Sequence, residues 1–478
     1  MVYELVGSRV LAPYVGTSLF VWTSLIGIIL GSLSLGYAWG GRLADKKLSY
    51  SVLSAILFIA GIFVGLTTVG NKIVLALIID NIVDIRLAAS LATIILFAPA
   101  SVALGMVSPY VIRLHLSDLK SSGRVVGTLY ALSTLGSIAG TFLAGFWLIP
   151  FFGTTRILLI IMIMLGLVAL LVNHKLFIKT KIVFLILIIS ILINFNSISY
   201  IFSTPNLIDV DTVYNRIWIA DIWDKRADRP LRMLVTDPHG IQGGIYLDDP
   251  KELALSYSKF FRLAYHFSPS AKNALLIGGG TYSIPGDFVR HYKEAKLTVV
   301  ELDPRVTELA RKHFYFEDNE RITIKHRDGR VFLNQNQDKF DIVYLDAYGS
   351  HISVPFHLTT VEALARVYES LNDDGIVVAN LVSGLVGEKG KFFQAELSTY
   401  KSIFPRVMVF PVNEPEKLEN LQNIVLIAFK NNTDIDLISE DQEINSYLKN
   451  YQEIDLDPGA IILTDDYAPV DYFTLNLL

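Results

Sequence analysis

Through residue 205 the apolar positions come in long unbroken runs, and from about residue 208 they come in short groups spaced by turns. No charged residue falls between Arg9 and Arg42, Lys47 and Lys72, Arg86 and Arg113, Arg124 and Arg156, Arg156 and Lys175, or Lys181 and Asp209. Each gap accommodates a helix of roughly 20 residues, enough to cross a bilayer core. A helix satisfies its own backbone hydrogen bonds there, which lipid cannot do. The pattern predicts about six transmembrane helices. The run Ile73–Ile79 is too short to span and is expected as an interfacial or re-entrant piece. The opening "MVYELVGSRVLAPYVG" has no basic region ahead of an apolar run and no cleavage site after a short one. It reads as the end of a helix lacking its beginning.

Beyond Ile208 the period changes. The runs "VYNRIWIADIW", "PLRMLVTD" and "GIQGGIYLD" are separated by Asp228, Pro230, Asp237-Pro238 and Gly243-Gly244, which predicts a small antiparallel sheet. A helix is expected over "PKELALSYSKFFRLAYHF". Strands and helices then alternate. The strands are expected at Ala274–Ile277, Leu297–Glu301, Ile322–His326, Phe340–Leu345 and Gly375–Leu381. The helices are expected at Phe288–Tyr292, Pro304–Phe314, Arg330–Gln335 and Thr359–Leu371. Val407–Pro411 and Asn423–Phe429 would close the sheet as an antiparallel pair. The expected organisation is an α-helical transmembrane bundle over 1–205, a small β subdomain with a helix over 206–270, and a doubly wound α/β domain of Rossmann type over 271–478, with its ligand at the carboxyl ends of the strands.

Composition sharpens this division. A hydrophobic fraction of 52% is high for a soluble enzyme, as is a mean hydropathy of +0.45. Residues 1–205 carry 13 Lys+Arg against 5 Asp+Glu, and the remainder carries 28 against 41. An acidic soluble part argues against nucleic acid as a partner, because phosphate binding needs a basic face. The chain has no cysteine, which excludes disulfides, thiolate metal sites and thiol catalysis. No transmembrane run holds an ion pair or a row of carboxylates, which proton-coupled transport would use. Gly136 and Gly140 form a G-x-x-x-G, expected to pack inside the bundle.

Charge also bears on orientation. The basic loops Gly40–Lys47, Arg113–Arg124 and His174–Lys181 would face the cytoplasm. If all six runs cross, the soluble part then lies outside. The alternatives are that Ile182–Phe202, polar at its end, lies along the membrane, or that one span is miscounted.

The candidate chemistry sits at the expected strand ends. Gly278-Gly279-Gly280 follows the first strand, Glu301 and Asp303 the second, Asp328-Gly329 the third and Asp346 the fourth. A glycine turn alone is often only a turn. Glu301 or Asp303 would cap the helix that starts at Pro304, and Asp328 would serve as a turn residue. Together they place four acceptors or turns on one edge. Glu301 would take the ribose hydroxyls, Asp328 an adenine amino group, and Asp346 would project beside the reactive end of the ligand. A dinucleotide loop reads G-x-G-x-x-G, its third glycine letting helix and strand pack closely around a pyrophosphate. Here Thr281-Tyr282-Ser283 follows, and Pro285 stands where a helix starts. The loop therefore suits a phosphate-free sulfonium nucleoside better than NAD. His351 and His357 are expected as solvated loop residues, and no metal is expected.

The pieces "LIGGG", "VVELDP", "HRDGRVFL" and "FDIVYLDAY", with "LVTDPHGIQ" and "LSYSKFF", resemble the spermidine synthase family, the polyamine aminopropyltransferases. "YELVGSRVLAPYVGTS", "LGYAWGGRLADK" and "LTDDYAPVDYF" resemble its membrane-fused branch, with an N-terminal multi-pass region. The resemblance implies a class I methyltransferase-like fold. It also implies transfer of an aminopropyl group from decarboxylated S-adenosylmethionine, a co-substrate, to an amine in polyamine biosynthesis. By resemblance Asp346 is the general base. Gln242, Gly278, Gly279, Gly280, Glu301, Asp328 and Gly329 hold the nucleoside, and Tyr257 and Tyr348 bind the amine. The implied partners are a small amine, the lipid bilayer and a second copy of the chain.

The departures fall in the amine half. The family's Asp-Ser-Ser-Asp becomes Asp346-Ala347-Tyr348-Gly349, its Tyr-Gln-Glu becomes Tyr257-Ser258-Lys259, and an acidic residue for the cofactor's amino group is replaced at Thr281-Tyr282. Two other readings stand beside the first. One is an S-adenosylmethionine-dependent methyltransferase acting on a membrane or small-molecule acceptor. The other is a transporter-like membrane protein with a nucleoside-sensing domain. The "TDDYAP" segment, Thr464–Pro469, either closes over the site or forms a turn.

Overall fold

The computed structural model describes residues 1–82, 84–116, 122–173, 207–236, 240–347, 354–432 and 435–475. The chain divides into two compact units, one of residues 1–205 with 211–216 and one of 206–210 with 217–478.

The first unit is helical. Among the described residues four of its helices are long and apolar enough to cross a membrane: Leu19–Lys46, Tyr50–Asn81, Ser122–Phe152 and Thr154–Val172. A fifth candidate is a bent pair, Ile85–Leu96 and Ala98–His115, whose axes differ by 54°. The break falls at Phe97–Pro99, where proline cannot donate to the preceding turn. A shorter helix, Val2–Val15, precedes them. The sixth apolar run, Ile182–Phe202, lies outside the described residues. Ile73–Ile79 is not a separate interfacial piece but the end of the 32-residue helix Tyr50–Asn81. Asn71 and Lys72 are polar but neither breaks a helix, and the Asn71 amide donates to Thr68 O on the preceding turn at 3.2 Å.

The close helix contact lies elsewhere than at Gly136 and Gly140. A methyl on Gly36 would sit 2.9 Å from Gly105 Cα, and one on Gly40 would sit 2.6 Å from Met106 Cα. The missing side chains let helices Leu19–Lys46 and Ala98–His115 approach to backbone contact. Among the described residues nothing lies within 4 Å of a Cβ built on Gly136, one on Gly140 meets Val2, and helix Ser122–Leu143 has no buried residue.

The second unit begins with a four-stranded antiparallel sheet, β1 (Leu207–Asp211), β2 (Arg216–Asp224), β3 (Arg229–Val235) and β4 (Gly243–Tyr246), in sequential order. The expected helix over residues 250–267 is two short pieces, Ser256–Phe260 and Leu263–Phe267. Its first residues are used otherwise, because Leu253 bridges to Ile245 beside β4.

Seven further strands form one mixed sheet: β5 (Asn273–Ile277), β6 (Lys296–Glu301), β7 (Ile322–His326), β8 (Phe340–Leu345), β9 (Leu371–Ser383), β10 (Arg406–Pro411) and β11 (Gln422–Phe429). Their order is β10-β11-β9-β8-β5-β6-β7. Strands β5 to β9 run parallel, and β11 is antiparallel to both β9 and β10. The inner parallel strands β5 and β8 are almost continuously apolar because helices cover both faces, whereas the edge strand β7 alternates as Ile-Thr-Ile-Lys-His. Leu276, Val299, Ile342 and Val378 belong to one buried cluster, and Leu275, Val300, Val343 and Val377 belong to the other. From β5 the chain moves outward through β6 and β7, then returns to the other side of β5 for β8. The crevice between β5 and β8 is therefore the topological switch point, where such folds bind ligands.

Candidate active site

The turn after β5 is shaped by its neighbours. Gly278 N–H donates to Val300 O at 2.9 Å, and Asp346 N–H donates to Ile277 O at 2.9 Å. Gly278 has φ of 99°, and a Cβ there would lie 2.8 Å from Asp346 C and closer still to its oxygen. Glycine is required twice over, by dihedral and by space. The turn and the end of β8 thus meet backbone to backbone.

The absent third glycine has a structural explanation. Tyr282 takes the left-handed conformation, φ 60°, and N-caps helix Ser283–His291. Its ring lies over Gly279, where an added Cβ would come within 2.6 Å. Its hydroxyl shares a hydrogen bond with Thr307 Oγ1 at 2.7 Å, and the ring packs on Phe316 at 4.4 Å. The Thr281 and Ser283 hydroxyls bond each other at 2.8 Å, and Thr281 fills the space that Gly243 leaves open. Pro285, the third residue of the helix, sits where its missing N–H would have no intrahelical partner. Thr281 and Tyr282 are only 5% and 2% exposed, so they wedge the turn against the small sheet and the helix that follows β6.

Glu301 ends β6 beneath this turn. Its Oε2 accepts from Gly279 N–H at 2.8 Å and its Oε1 from Asp303 N–H at 2.9 Å. Burial pushes the carboxyl up from its ordinary value, and the backbone donors of Asp303 and Gly279 oppose that shift. Asp303 caps helix Pro304–His313 through Arg305 N–H. The two acids therefore divide the work, Asp303 at the helix and Glu301 at the turn. Asp328 caps helix Gly329–Gln335 through Val331 N–H at 2.9 Å, and its other oxygen lies 3.4 Å from His357 Nε2. Gly329 lets that helix approach β5, since a Cβ would lie 2.7 Å from Ile277 Cγ2.

Asp346 follows β8 directly. Its Oδ2 accepts from the Tyr257 hydroxyl at 3.1 Å, and its Oδ1 from Asn380 Nδ2 at 3.2 Å. Burial raises the carboxyl from 3.8 to about 6, with the Asn380 and Tyr257 hydrogen bonds opposing the rise. The Tyr257 phenol is driven upward by burial and then by the Asp346 charge, so it stays protonated and donates. Gln242 lies beside the turn through its backbone. Its carbonyl is 3.9 Å from a Cβ built on Gly280 and 3.4 Å from the Tyr257 hydroxyl. Its side-chain Oε1 is turned away, accepting from Thr236 N–H at 2.8 Å.

Of the candidates, Gln242, Tyr257, Gly278, Gly279, Gly280, Glu301 and Asp346 are linked by these contacts, and Gly329 and Asp328 adjoin them through β5. Tyr348, Gly349 and His351 lie outside the described residues. Lys259 is turned to Glu252 at 3.0 Å. Asp465 of the "TDDYAP" segment pairs with Arg330 at 2.6 Å and accepts from Thr360 Oγ1 at 2.6 Å. Thr464 and Tyr467 close a turn there by exchanging backbone hydrogen bonds. Asn380 carries no motif, and its position one residue past the β8–β9 register is the signal that would have found it. Among the described residues no group of three His, Cys, Asp or Glu side chains is arranged to hold a metal ion.

Residues 258–437 match the spermine/spermidine synthase domain. The polyamine aminopropyltransferase of Vibrio vulnificus is 28% identical over 235 residues, 46% of this chain and 76% of that protein. A probable polyamine aminopropyl transferase of Bifidobacterium longum is 24% identical over 290 residues, 56% of this chain and 62% of its own length. A probable spermidine synthase from Corynebacterium glutamicum aligns in structure over 55% of this chain and 97% of its own, at 21% identity and a TM-score of 0.45. Residues 258–437 thus form a spermine/spermidine synthase domain, and the chain that carries it is a transferase.

Proposed function

We propose that this protein is a membrane-bound aminopropyltransferase of polyamine biosynthesis that uses decarboxylated S-adenosylmethionine as donor. The observation that carries the reading is Asp346. It is a shielded carboxyl at the switch point, joined backbone to backbone with the glycine turn, and titrates at about 6. A base with that pKa is ionised at neutral pH yet still holds a proton well enough to accept one in the transition state.

Gly278, Gly279 and Gly280 bring the backbone close to the donor's tail, Glu301 takes the ribose hydroxyls with its remaining lone pairs, and Asp328 receives the adenine edge. Gly329 sets the depth of the pocket, and Gln242 closes it from the small sheet. Tyr257 borders the acceptor, and Tyr348 is assigned to the acceptor by the family resemblance alone. In the reaction the amine lone pair forms a bond to the propyl carbon attached to the sulfonium. The carbon–sulfur pair returns to sulfur, which leaves as neutral methylthioadenosine, and the ammonium proton passes to the Asp346 carboxylate. A cationic donor is favoured near two carboxylates, and holding both reactants in line supplies much of the rate.

In this reading residues 1–205 anchor the enzyme in the bilayer, 206–270 form the small subdomain and 271–478 the catalytic domain. The acceptor is a small amine, not a nucleic acid, and two copies associate. The test supplies the purified full-length protein with decarboxylated and carboxylated donor in separate reactions. Methylthioadenosine from the first supports the proposal. Adenosylhomocysteine from the second would replace it with the methyltransferase reading.

A further inference from the structure

We propose that Asn380 and Asn423 form a two-amide relay that positions the Asp346 carboxylate and fixes which of its lone pairs meet the acceptor. The inference rests on Asp346 being the base and names residues that no motif singles out. Leu345 and Ala379 are partners in the β8–β9 register, so the next residues, Asp346 just past the end of β8 and Asn380 still within β9, lie side by side. Asn380 Nδ2 donates to Asp346 Oδ1 at 3.2 Å, and Asn423 Nδ2 donates to Asn380 Oδ1 at 3.0 Å. Asn423 lies on β11 two residues from Val425, the β-partner of Asn380, so both amides share one face of the sheet.

The chemistry sets the direction of the relay. An ionised carboxylate only accepts, so Asn380 must turn its NH2 toward Asp346. Its oxygen then faces Asn423, which answers with its own NH2. Reversing either amide sets acceptor against acceptor or donor against donor. Asn380 is only 6% exposed and cannot exchange these partners for water. With Oδ1 held by Asn380 and Oδ2 by Tyr257, the carboxylate plane is fixed and one lone pair on each oxygen is left for the amine. Among the described residues Tyr257 is the titratable group that touches Asp346. Glu301 is turned to Gly279 and Asp303, and Asp328 to Val331 and His357.

The test compares Asn380→Leu, Asn423→Leu and the double variant with the parent, all as full-length protein in lipid nanodiscs. Methylthioadenosine affinity reports whether the fold survives, and Asn380→Gln serves as the conservative variant. Removing a donor from an ionised carboxylate raises its pKa. The acidic limb of kcat/KM is expected to move up by about one pH unit in Asn380→Leu. A smaller move in the same direction is expected in Asn423→Leu, and none beyond Asn380→Leu in the double variant, because Asn423 acts through Asn380. Asn380→Gln restores part of the shift. Infrared titration of the Asp346 carboxyl, taken as the difference from Asp346→Asn, reads the same shift without turnover, so the relay is tested even if aminopropyl transfer is refuted. An unmoved carboxyl titration in both single variants with methylthioadenosine affinity retained, or additive shifts in the double variant, would overturn the relay.

Discussion

Replacing Asp346 by asparagine should make the protein more stable at pH 8 while removing its activity. The carboxyl titrates near 3.8 in an unfolded chain and near 6 in the fold. Below pH 3.8 it is protonated in both states and contributes no difference. As pH rises through 3.8 to 6, the unfolded chain releases the proton first, and folded-state stability is lost across that window. Above it the folded protein carries the full cost of a shielded charge, about 3 kcal/mol for a shift of this size. Asparagine never carries that charge, but its NH2 would oppose either the Asn380 amide or the Tyr257 hydroxyl, at a cost of about 1 kcal/mol. The net expectation is a gain of about 2 kcal/mol at pH 8, changing to a loss of about 1 kcal/mol below pH 4. Unfolding followed by tryptophan fluorescence at a series of pH values on the solubilised full-length protein reads the difference. A variant less stable than the parent at pH 8, or a difference that does not change with pH, would refute the assignment of a strained, ionisable Asp346. Turnover by the same variant should fall by about two to four orders of magnitude, as loss of a general base does.

Three further outcomes follow from the site and the bundle. Gly278→Ala should abolish methylthioadenosine binding in calorimetry, because its Cβ would be forced against the Asp346 backbone at a φ that alanine disfavours. Glu301→Gln should weaken methylthioadenosine at least about tenfold by leaving the ribose without an ionised acceptor, whereas Asp303→Asn should leave affinity unchanged, since asparagine caps a helix as well as aspartate. In the helical unit, Gly36→Leu should lower the yield of folded protein in membranes and its aggregation temperature, whereas Gly136→Leu should leave both unchanged, because among the described residues Gly36, unlike Gly136, is in backbone contact with a neighbouring helix.

The doubly wound sheet was legible because β5, β6 and β8 carry apolar runs that end at a glycine or a carboxylate, and helical patterns alternate with them. The roles of Glu301 and Asp303 were legible as a pair but not one by one, since either could cap the helix that begins at Pro304. Tertiary contacts hid more. Tyr282 stands where the family's acidic contact is expected, yet its buried ring packs under the turn. Nothing in one strand announces Asn380 or Asn423, because their meaning comes from a register across three strands. In the helical unit the G-x-x-x-G spacing at Gly136 drew attention, while the close approach uses Gly36, Gly40 and Gly105, two of them also four residues apart and the third on another helix. The helix expected from residue 250 failed because Leu253 is drawn to β4, a contact that local propensity does not contain.

Product analysis reads aminopropyl transfer itself. Full-length protein would be incubated with decarboxylated S-adenosylmethionine and a panel of small amines, in parallel with S-adenosylmethionine itself, and the nucleoside products separated by mass. The expected products are methylthioadenosine and an amine heavier by one aminopropyl group, only from the decarboxylated donor, and neither from Asp346→Asn. Adenosylhomocysteine from the carboxylated donor with no methylthioadenosine from the other would contradict aminopropyl transfer.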